Sequence, residues 1–335
     1  IAVADTMIHG GDPDNMQFGD TLSDDKFAGY QFDFVISNPP FGIDWKREAT
    51  VVEAEHKKGE AGRFAPGLPS KSDGQMLFLM NGVKKLKGTG RMAIIQNSSS
   101  LSTGDAGSGQ SNIRRYLIEN DWLDAIVQLP NNSFYNTDIA TYIWIVNKDK
   151  PQERKGKVQL IDASKCCQSR WKPIGNKRVD ISEKSRTMIV QAYGEYCTET
   201  YEDAGEDGKP IVCRSKILDG ISLGYRKVMV ETPVYNEDGT SILKRGKKVA
   251  DAAKRDAENI PLTEEVEEYI SREVLPYNPD AWVDESKTKI GYEIPFTRMF
   301  YEYTPIEPSV DIAARIAVRE QNLMAELHKL FGKGE

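Results

Sequence analysis

The pattern of apolar and polar residues predicts a strand at residues 32–37, where apolar residues flank a single aspartate. This strand ends at Asn38, because Pro39 and Pro40 lack a backbone N–H and push the preceding residue out of helical geometry. Residues 16–18 predict another short strand just before it. Two buried strands joined by a short polar crossover predict a parallel sheet, with Asn38 at its carboxyl edge.

Helix and strand patterns alternate over the next hundred residues. The helices are expected at residues 76–86 and 113–120, and the strands at residues 91–97, 122–129 and 139–146. Residues 130–138 leave no room for a helix, so the last strand should run antiparallel to its neighbours. A parallel core that ends in such a pair is typical of the S-adenosylmethionine-dependent methyltransferase fold. We therefore predict an α/β fold with a Rossmann-like sheet.

A change of composition near residue 151 divides the chain, which becomes more charged and less periodic. We predict a partial methyltransferase domain at residues 1–150, an α+β extension at residues 151–304 and a terminal helix in residues 305–335. Within the extension the patterns predict an edge strand at residues 158–161, helices at residues 177–189 and 261–275, and a β-hairpin of residues 225–232 and 240–243 around an Asn-Glu-Asp-Gly turn. The terminal helix should begin near Ser309 and end at Gly332, and it either packs on the parent domain or pairs with another subunit.

Two polar stretches leave their roles open. Residues 44–71 are rich in Glu, Lys and Gly, which predicts a mobile loop at the rim of the site, either merely solvated or acting as a lid or DNA contact. Residues 244–255 are the most basic stretch, but three acidic residues dilute it. A solvated face is the simpler interpretation of that stretch, and a strip that contacts phosphates is the alternative.

Residues 38–41, Asn-Pro-Pro-Phe, carry the clearest chemistry. The exocyclic amine of adenine is a poor nucleophile, because its lone pair is delocalised into the ring. Acceptors on the Asn38 side chain and the Pro39 carbonyl would hold both amino hydrogens, free the lone pair and stabilise the positive charge that develops on nitrogen. Phe41 would stack on a base that has been flipped out of the duplex. Asp20 either accepts a hydrogen bond from the adenine amino group of the cofactor or only forms a turn.

The charge and composition of the 335 residues restrict the class of protein. A net charge of −7 is unusual for a protein that grips DNA alone, so a DNA substrate would require a partner that supplies basic surface. Four cysteines without a CxxC pair and three scattered histidines give no pattern of metal ligands, so we expect no metal site. The sequence contains neither a membrane span nor a signal peptide, so we expect a cytoplasmic protein with no membrane partner.

Three further stretches narrow the interpretation: residues 104–109 (Gly-Asp-Ala-Gly-Ser-Gly), 134–137 (Phe-Tyr-Asn-Thr) and 291–298 (Gly-Tyr-Glu-Ile-Pro-Phe-Thr-Arg). With Asn38, Pro39, Pro40 and Phe41, they resemble the modification subunit of type I restriction-modification systems over nearly the whole chain. The resemblance implies an adenine-specific DNA methyltransferase (EC 2.1.1.72) that uses S-adenosylmethionine. It also implies partners: DNA, a specificity subunit that contacts residues 310–331, a restriction subunit and a second modification subunit.

The chain departs from the family at its start. The family has a helical N-terminal domain and then a strand and glycine-rich loop that hold the cofactor, and none of these is present in the sequence. We expect the chain to be the C-terminal part of a longer protein, with an exposed sheet edge, with Asp20 as its only cofactor contact, and inactive by itself. Two alternatives stay open: a methyltransferase acting on a glutamine amide of protein, and a non-catalytic assembly module.

Overall fold

The computed structural model describes residues 2–303 and 305–332. Its strands are β1 (Phe32–Ser37), β2 (Leu86–Asn97), β3 (Leu123–Gln128), β4 (Thr141–Asn147), β5 (Lys157–Asp162), β6 (Gln168–Ile174), β7 (Lys177–Asp180), β8 (Glu199–Ala204), β9 (Pro210–Asp219), β10 (Gly224–Glu231), β11 (Leu243–Lys244), β12 (Lys247–Lys248), β13 (Asp256–Pro261) and β14 (Trp282–Tyr292). Its helices are α1 (Ala2–Ile8), α2 (Ala49–His56), α3 (Gln75–Lys84), α4 (Ser99–Ser102), α5 (Gly109–Glu119), α6 (Glu183–Glu195), α7 (Val266–Tyr269), α8 (Phe296–Met299) and α9 (Ser309–Phe331).

A seven-stranded mixed sheet in the order β1-β2-β4-β3-β5-β9-β8 forms the centre of the first compact unit, Ile1–Phe296. β1 and β2 are parallel, as are β3 and β5, whereas β4 lies between β2 and β3 and runs antiparallel to both. This arrangement confirms the antiparallel strand that the short connection at residues 130–138 predicts.

Helix α3 packs on β1 and β2 through the apolar face that its sequence predicts. Met76, Leu79 and Met80 are at most 2% exposed, so the methionines are core residues. A Cβ at Gly82 would come within 2.3 Å of the Met92 sulfur and 3.6 Å of Val35, so glycine allows the helix to lie close against the strands. This contact fixes the height of α3 relative to the carboxyl edge of the sheet.

β1 lies at the edge of the sheet, and two sequence predictions about this region are wrong. Residues 16–18 form no strand, so within the described part of the chain β1 pairs with β2 alone. As a result Phe34 is 74% and Ile36 is 90% exposed, although the apolar run predicts a buried strand. The exposed edge that the sequence also predicts is confirmed.

The boundary that composition predicts at residue 150 falls inside the central sheet. β5 follows it directly and is an interior strand between β3 and β9, where the sequence predicts an edge strand. β5 is buried on both faces, since Val158 to Ile161 are at most 2% exposed, and Ile161 shares a core cluster with Met188 and Ala192 of α6. The same unit contains a separate three-stranded sheet, β13-β10-β14, and two hairpins, β6–β7 and β11–β12.

Three local predictions in the second half need correction. Residues 177–180 form β7, and the helix there is α6, which begins at Glu183 with Ser182 as its cap. β10 pairs with β13 and β14 rather than with residues 240–243, although the Asn-Glu-Asp-Gly turn is present. Residues 261–275 begin as the end of β13, and only residues 266–274 are helical. In each case pairing between distant residues overrides the local pattern.

The second unit, Thr297–Glu335, contains α9, which the sequence predicts almost to the residue. None of the described side chains of α9 is buried, and its apolar residues are exposed along their length. Among the described residues of the whole chain, no helix combines the length and apolar character needed to cross a membrane.

The stretch at residues 44–71 is folded, so the predicted mobile loop is wrong. It contains α2, and its Trp45, Val52 and Phe64 side chains are at most 2% exposed. Arg63 makes a bidentate pair with Glu55 at 2.7 and 2.8 Å and donates to the carbonyls of Thr21 and Leu22. A few buried apolar residues, widely spaced among charged ones, hold this segment on the domain. Because their spacing follows neither the helix period nor the strand period, the sequence pattern does not predict a folded segment.

The Glu55–Arg63 pair predicts a pH-dependent contribution to stability. Burial alone would raise the pKa of Glu55, but hydrogen bonds from Arg63 outweigh it and hold the pKa below its ordinary value of 4.5. Because the folded-state pKa is lowered, the stabilisation is present above about pH 4.5 and is lost as the pH falls through the folded-state pKa. We expect Glu55→Gln to destabilise the chain at pH 7 and to lose that effect at acid pH.

The measurement is urea unfolding of wild type and Glu55→Gln from pH 7 to pH 3. The control is Glu53→Gln in the same helix, because the Glu53–Lys71 pair is about half exposed and should contribute little. A difference between wild type and Glu55→Gln that stays constant with pH would contradict this assignment.

Candidate active site

The Asn38–Phe41 segment lies where the edge strand of the central sheet ends. β1 stops at Ser37, which lies opposite Ile94 of the parallel strand β2. β2 continues for three residues and ends at Asn97, so both strands deliver an asparagine to the same edge. Carboxyl ends of parallel strands are where α/β sheets bind ligands.

A cavity of about 660 Å³ opens at this edge. It is lined by Asn38, Pro39, Pro40, Phe41, Gly42, Ile43, Asn97, Phe134, Asn136, Thr137 and Ile139. The structure therefore joins two motifs that lie almost a hundred residues apart in the sequence. The four residues predicted from chemistry share one cavity with three of the four residues of the Phe-Tyr-Asn-Thr motif.

Within the cavity the four predicted residues differ in exposure. Pro39 is buried, Phe41 is half-buried and Asn38 is exposed. No described residue forms a hydrogen bond with the Asn38 side chain, so its amide is not engaged in holding the fold. The buried proline fixes the backbone, and the amide and aromatic side chains remain available for a ligand.

The opposite wall of the cavity is a loop between β3 and β4 that is held from behind. The β6–β7 hairpin donates from the Asn176 and Arg178 amides to the Tyr135 and Asn132 carbonyls, each at 2.9 Å. Lys177 also lies 5.1 Å from the centre of the Tyr135 ring. These contacts position Phe134, Asn136 and Thr137 on a supported loop, which the sequence motif alone does not reveal.

A polar network lies beneath the cavity at the end of β2. The Gln75 amide, 1% exposed, donates to Asp73 at 2.7 Å and to Asn97 Oδ1 at 2.8 Å. In return the Asn97 backbone N–H donates to Gln75 Oε1 at 3.0 Å. Ser99 also donates to Asn97 Oδ1, from its backbone N–H at 2.9 Å and from its hydroxyl at 2.7 Å. The sequence pattern predicts β2 as a strand but does not predict Asn97 as a site residue. Like Asn38, Asn97 is a polar residue at the carboxyl end of a strand, and this feature could have identified it.

Asp20 is not brought to this cavity. Its carboxylate accepts a hydrogen bond from the Leu22 amide at 2.8 Å, which is the geometry of a turn-forming aspartate. Its neighbours Gly19 and Thr21 line a separate cavity of about 220 Å³ between β1, α3 and residues 17–27. The structure supports the turn interpretation of Asp20, and a contact with the cofactor stays a prediction.

The glycine-rich stretch at residues 104–109 is a structural loop in front of α5. Ser108 caps that helix through the Ser111 amide, and Asp105 pairs with Lys227 of β10 at 2.6 Å. Arg114 of α5, with no exposed side chain surface, donates to the Ser100 and Thr103 carbonyls at 3.0 Å. None of these residues lines the 660 Å³ cavity. The loop therefore connects α4, α5 and the second sheet.

The basic stretch at residues 244–255 divides into paired and solvated cations. Lys248, Lys254 and Arg255 form ion pairs with Asp280, Asp251 and Glu231. Lys244 and Lys247 face each other in the short β11–β12 hairpin and are exposed. Half of the stretch therefore serves the fold of the second sheet, and the hairpin tip is solvated.

Comparison with known proteins identifies a family and several relatives. A model of the N-6 DNA Methylase family matches residues 1–222. The chain is 27% identical over 201 residues to the type I restriction enzyme MjaIX methylase subunit of Methanocaldococcus jannaschii, covering 60% of this chain and 33% of that protein. It is 35% identical over 136 residues to the MpnII methylase subunit of Mycoplasma pneumoniae, covering 40% and 23% respectively.

A solved structure agrees with this comparison. The type I restriction-modification methyltransferase subunit from Streptococcus thermophilus superposes with a TM-score of 0.51 at 25% identity, covering 65% of this chain and 42% of that one. This likeness confirms the predicted Rossmann-like methyltransferase fold. The chain spans between about a quarter and a third of the length of the curated relatives that it matches.

Proposed function

Because the chain belongs to the N-6 DNA Methylase family, we propose that it provides the target-base site of an enzyme that methylates N6 of adenine in DNA. The observation that carries this proposal is the cavity shared by Asn38, Pro39, Phe41 and Phe134. It combines an unengaged amide, a rigid backbone carbonyl and two aromatic rings. These are the groups that a flat base with an exocyclic amine requires.

In the proposed mechanism the base leaves the duplex and enters the cavity edge first. Phe41 stacks on one face of the ring, and Phe134 contacts it from the wall formed by the β3–β4 loop. Asn38 Oδ1 and the Pro39 carbonyl oxygen each accept one amino hydrogen. The nitrogen lone pair is thereby released from the ring, and the same two oxygens stabilise the positive charge that forms as the N–C bond is made.

S-adenosylmethionine supplies an electrophilic methyl group on a sulfonium sulfur in this chemistry. When bound, it would supply the methyl group of the new N–CH₃ bond as its own S–CH₃ bond breaks, and the proton left on nitrogen would be lost to solvent. Asp20 is the residue of this chain that we assign to the cofactor, through the amino group of its adenine. The carboxylate chemistry fits, although its turn hydrogen bond to Leu22 occupies one oxygen.

We further propose that the chain acts inside a type I restriction-modification complex with a specificity subunit, a restriction subunit and a second modification subunit. The net charge of −7 supports a need for partners that supply basic surface to hold DNA. The exposed apolar side chains along α9 support a helix that contacts another subunit, which we take to be the specificity subunit. The site of action would be the cytoplasm, where such a complex meets DNA.

Transfer of labelled methyl groups tests the proposed function. We expect the assembled complex to label DNA on adenine N6, identified after digestion to nucleosides, and to leave glutamine-containing peptides unlabelled. Labelled peptide without labelled DNA would replace this proposal with a protein glutamine methyltransferase. An assembled complex that labels neither substrate would leave the chain as an assembly module.

Cofactor binding by the 335-residue chain alone gives a further prediction. The cavity provides groups for the target base. Asp20, outside the cavity, is the one residue of the chain that we assign to the cofactor. We expect titration calorimetry with S-adenosylmethionine to show binding weaker than about 1 mM, which corresponds to roughly 4 kcal/mol. Asp20→Asn should weaken even this signal, because it changes the single residue of the chain that we assign to the cofactor. Binding in the low micromolar range would contradict the assignment of this chain to the base side of the site.

A further inference from the structure

We propose that Asn97 donates a hydrogen bond from its side-chain Nδ2 to a ring nitrogen of the target adenine, either N1 or N7, which flank the amino group. This inference rests on the proposed function. It adds to the site a donor that would recognise adenine through an acceptor nitrogen of its ring. It also assigns a role to an asparagine outside every motif that the sequence analysis identifies.

The orientation of the Asn97 amide follows from its partners. A backbone N–H can only donate, and the Ser99 N–H lies 2.9 Å from one side-chain atom of Asn97. That atom must therefore be the oxygen, irrespective of how the amide is drawn. The Gln75 amide donates to the same oxygen at 2.8 Å, and the Ser99 hydroxyl shares its one hydrogen between this oxygen at 2.7 Å and Asp73 Oδ2 at 2.9 Å.

The side-chain hydrogen bonds of Asn97 in the network all involve its Oδ1, so its Nδ2 group remains available to the cavity. No described residue accepts a hydrogen bond from Asn97 Nδ2, while Asn97 itself lines the cavity with Asn38 and Pro39. The side chain is held at the end of β2 by the buried Gln75 and by α4, so its donor is fixed before a ligand arrives. A fixed donor favours an acceptor on the ligand at little entropic cost.

The two cavity asparagines thus have complementary roles. Asn38 has no partner in the fold and presents an acceptor to the amino group, whereas Asn97 has its acceptor occupied and presents a donor. Adenine carries an amino group between two ring acceptors, N1 and N7, so the pair matches one edge of the base. Reversing the polarity at Asn97 should therefore place acceptor against acceptor.

Two variants separate recognition of the base from support of the fold. Asn97→Asp and Asn97→Ser both keep an oxygen that can accept from the Ser99 N–H, and both lose the amide donor. We expect each to lower kcat/KM for methylation of DNA by about 10- to 100-fold, and the thermal unfolding of Asn97→Ser to stay close to wild type. The serine variant also avoids the negative charge that Asn97→Asp would place near Asp73.

Substrate analogues give a readout that a merely structural role would not change. DNA carrying 1-deazaadenine or 7-deazaadenine at the target position lacks one of the two ring acceptors. We expect one of the analogues to slow wild type by about 10-fold or more beyond its effect on Asn97→Ser, because the variant has already lost the amide donor that reaches the ring nitrogen. The analogue that shows this difference identifies the acceptor.

The outcomes distinguish this inference from the proposed function. Equal effects of both analogues on wild type and Asn97→Ser, or full activity of Asn97→Asp, would overturn the role of Asn97 while leaving adenine methylation intact. A wild-type complex that does not methylate adenine at all would overturn the proposed function. The contact between Asn97 and adenine would then be wrong as well.

Discussion

Asn38→Ala should reduce methylation of DNA by roughly 100- to 1000-fold in kcat, the size of effect seen when one preorganised polar group is removed from a developing charge. The variant loses the acceptor that holds one amino hydrogen of adenine and that stabilises the cationic nitrogen. The fold should be unchanged, because Asn38 is exposed and no described residue hydrogen-bonds its side chain. The measurement is single-turnover methyl transfer with saturating DNA.

Two further variants define the cause of that loss. Asn38→Asp keeps an oxygen acceptor at the same position and should retain more activity than Asn38→Ala. Asn15→Ala, at an exposed asparagine outside the cavity, should methylate at the wild-type rate. If Asn38→Ala still transferred methyl groups at the wild-type rate, the acceptor role of Asn38 would be wrong.

The location of Asn38 could be predicted from the sequence because every signal for it is local. An apolar run predicts β1, and Pro39 and Pro40 end it within one residue. The end of a parallel strand then places the motif at the ligand-binding edge of the sheet. Asn97 follows from the same rule, since β2 is also a strand that ends in a polar residue, but no proline marks its end.

Other parts of the fold could not be predicted, because they depend on contacts between distant residues. Residues 16–18 have a strand-like composition, yet they do not pair with β1. Trp45, Val52 and Phe64 are all buried, but their spacing along the sequence fits neither a helix nor a strand, so the pattern does not predict their burial. Likewise the charged composition beyond residue 151 conceals β5, β9 and β8, which extend the central sheet beyond β3.

The largest effect on stability should come from Arg114, which is buried in α5 without a carboxylate partner among the described residues. Its guanidinium donates to the Tyr292 carbonyl at 2.6 Å, to the Ser100 and Thr103 carbonyls at 3.0 Å and to the Gly104 carbonyl at 3.4 Å. Burial lowers its pKa to about 10, so it stays charged at neutral pH and depends on these acceptors. The side chain thus joins α4 and the glycine-rich loop to β14.

Arg114→Ala should lower the free energy of unfolding by about 3 to 5 kcal/mol, because it leaves buried carbonyls unpaired and opens a cavity. Arg114→Lys should not restore stability, since a single ammonium cannot reach carbonyls in several directions at once. The matched control is Arg115→Ala at the next position, where an exposed pair with Glu119 should contribute about 0.5 kcal/mol or less.

Urea unfolding of the three variants, followed by circular dichroism, measures these differences. Because Arg114 holds Ser100 directly beyond the Ser99 that fixes Asn97, its loss should also loosen the cavity edge. We expect Arg114→Lys, where it still folds, to lose methylation more steeply with rising temperature than Arg115→Ala. Equal destabilisation by Arg114→Ala and Arg115→Ala would show that the buried guanidinium does not hold the loop to β14.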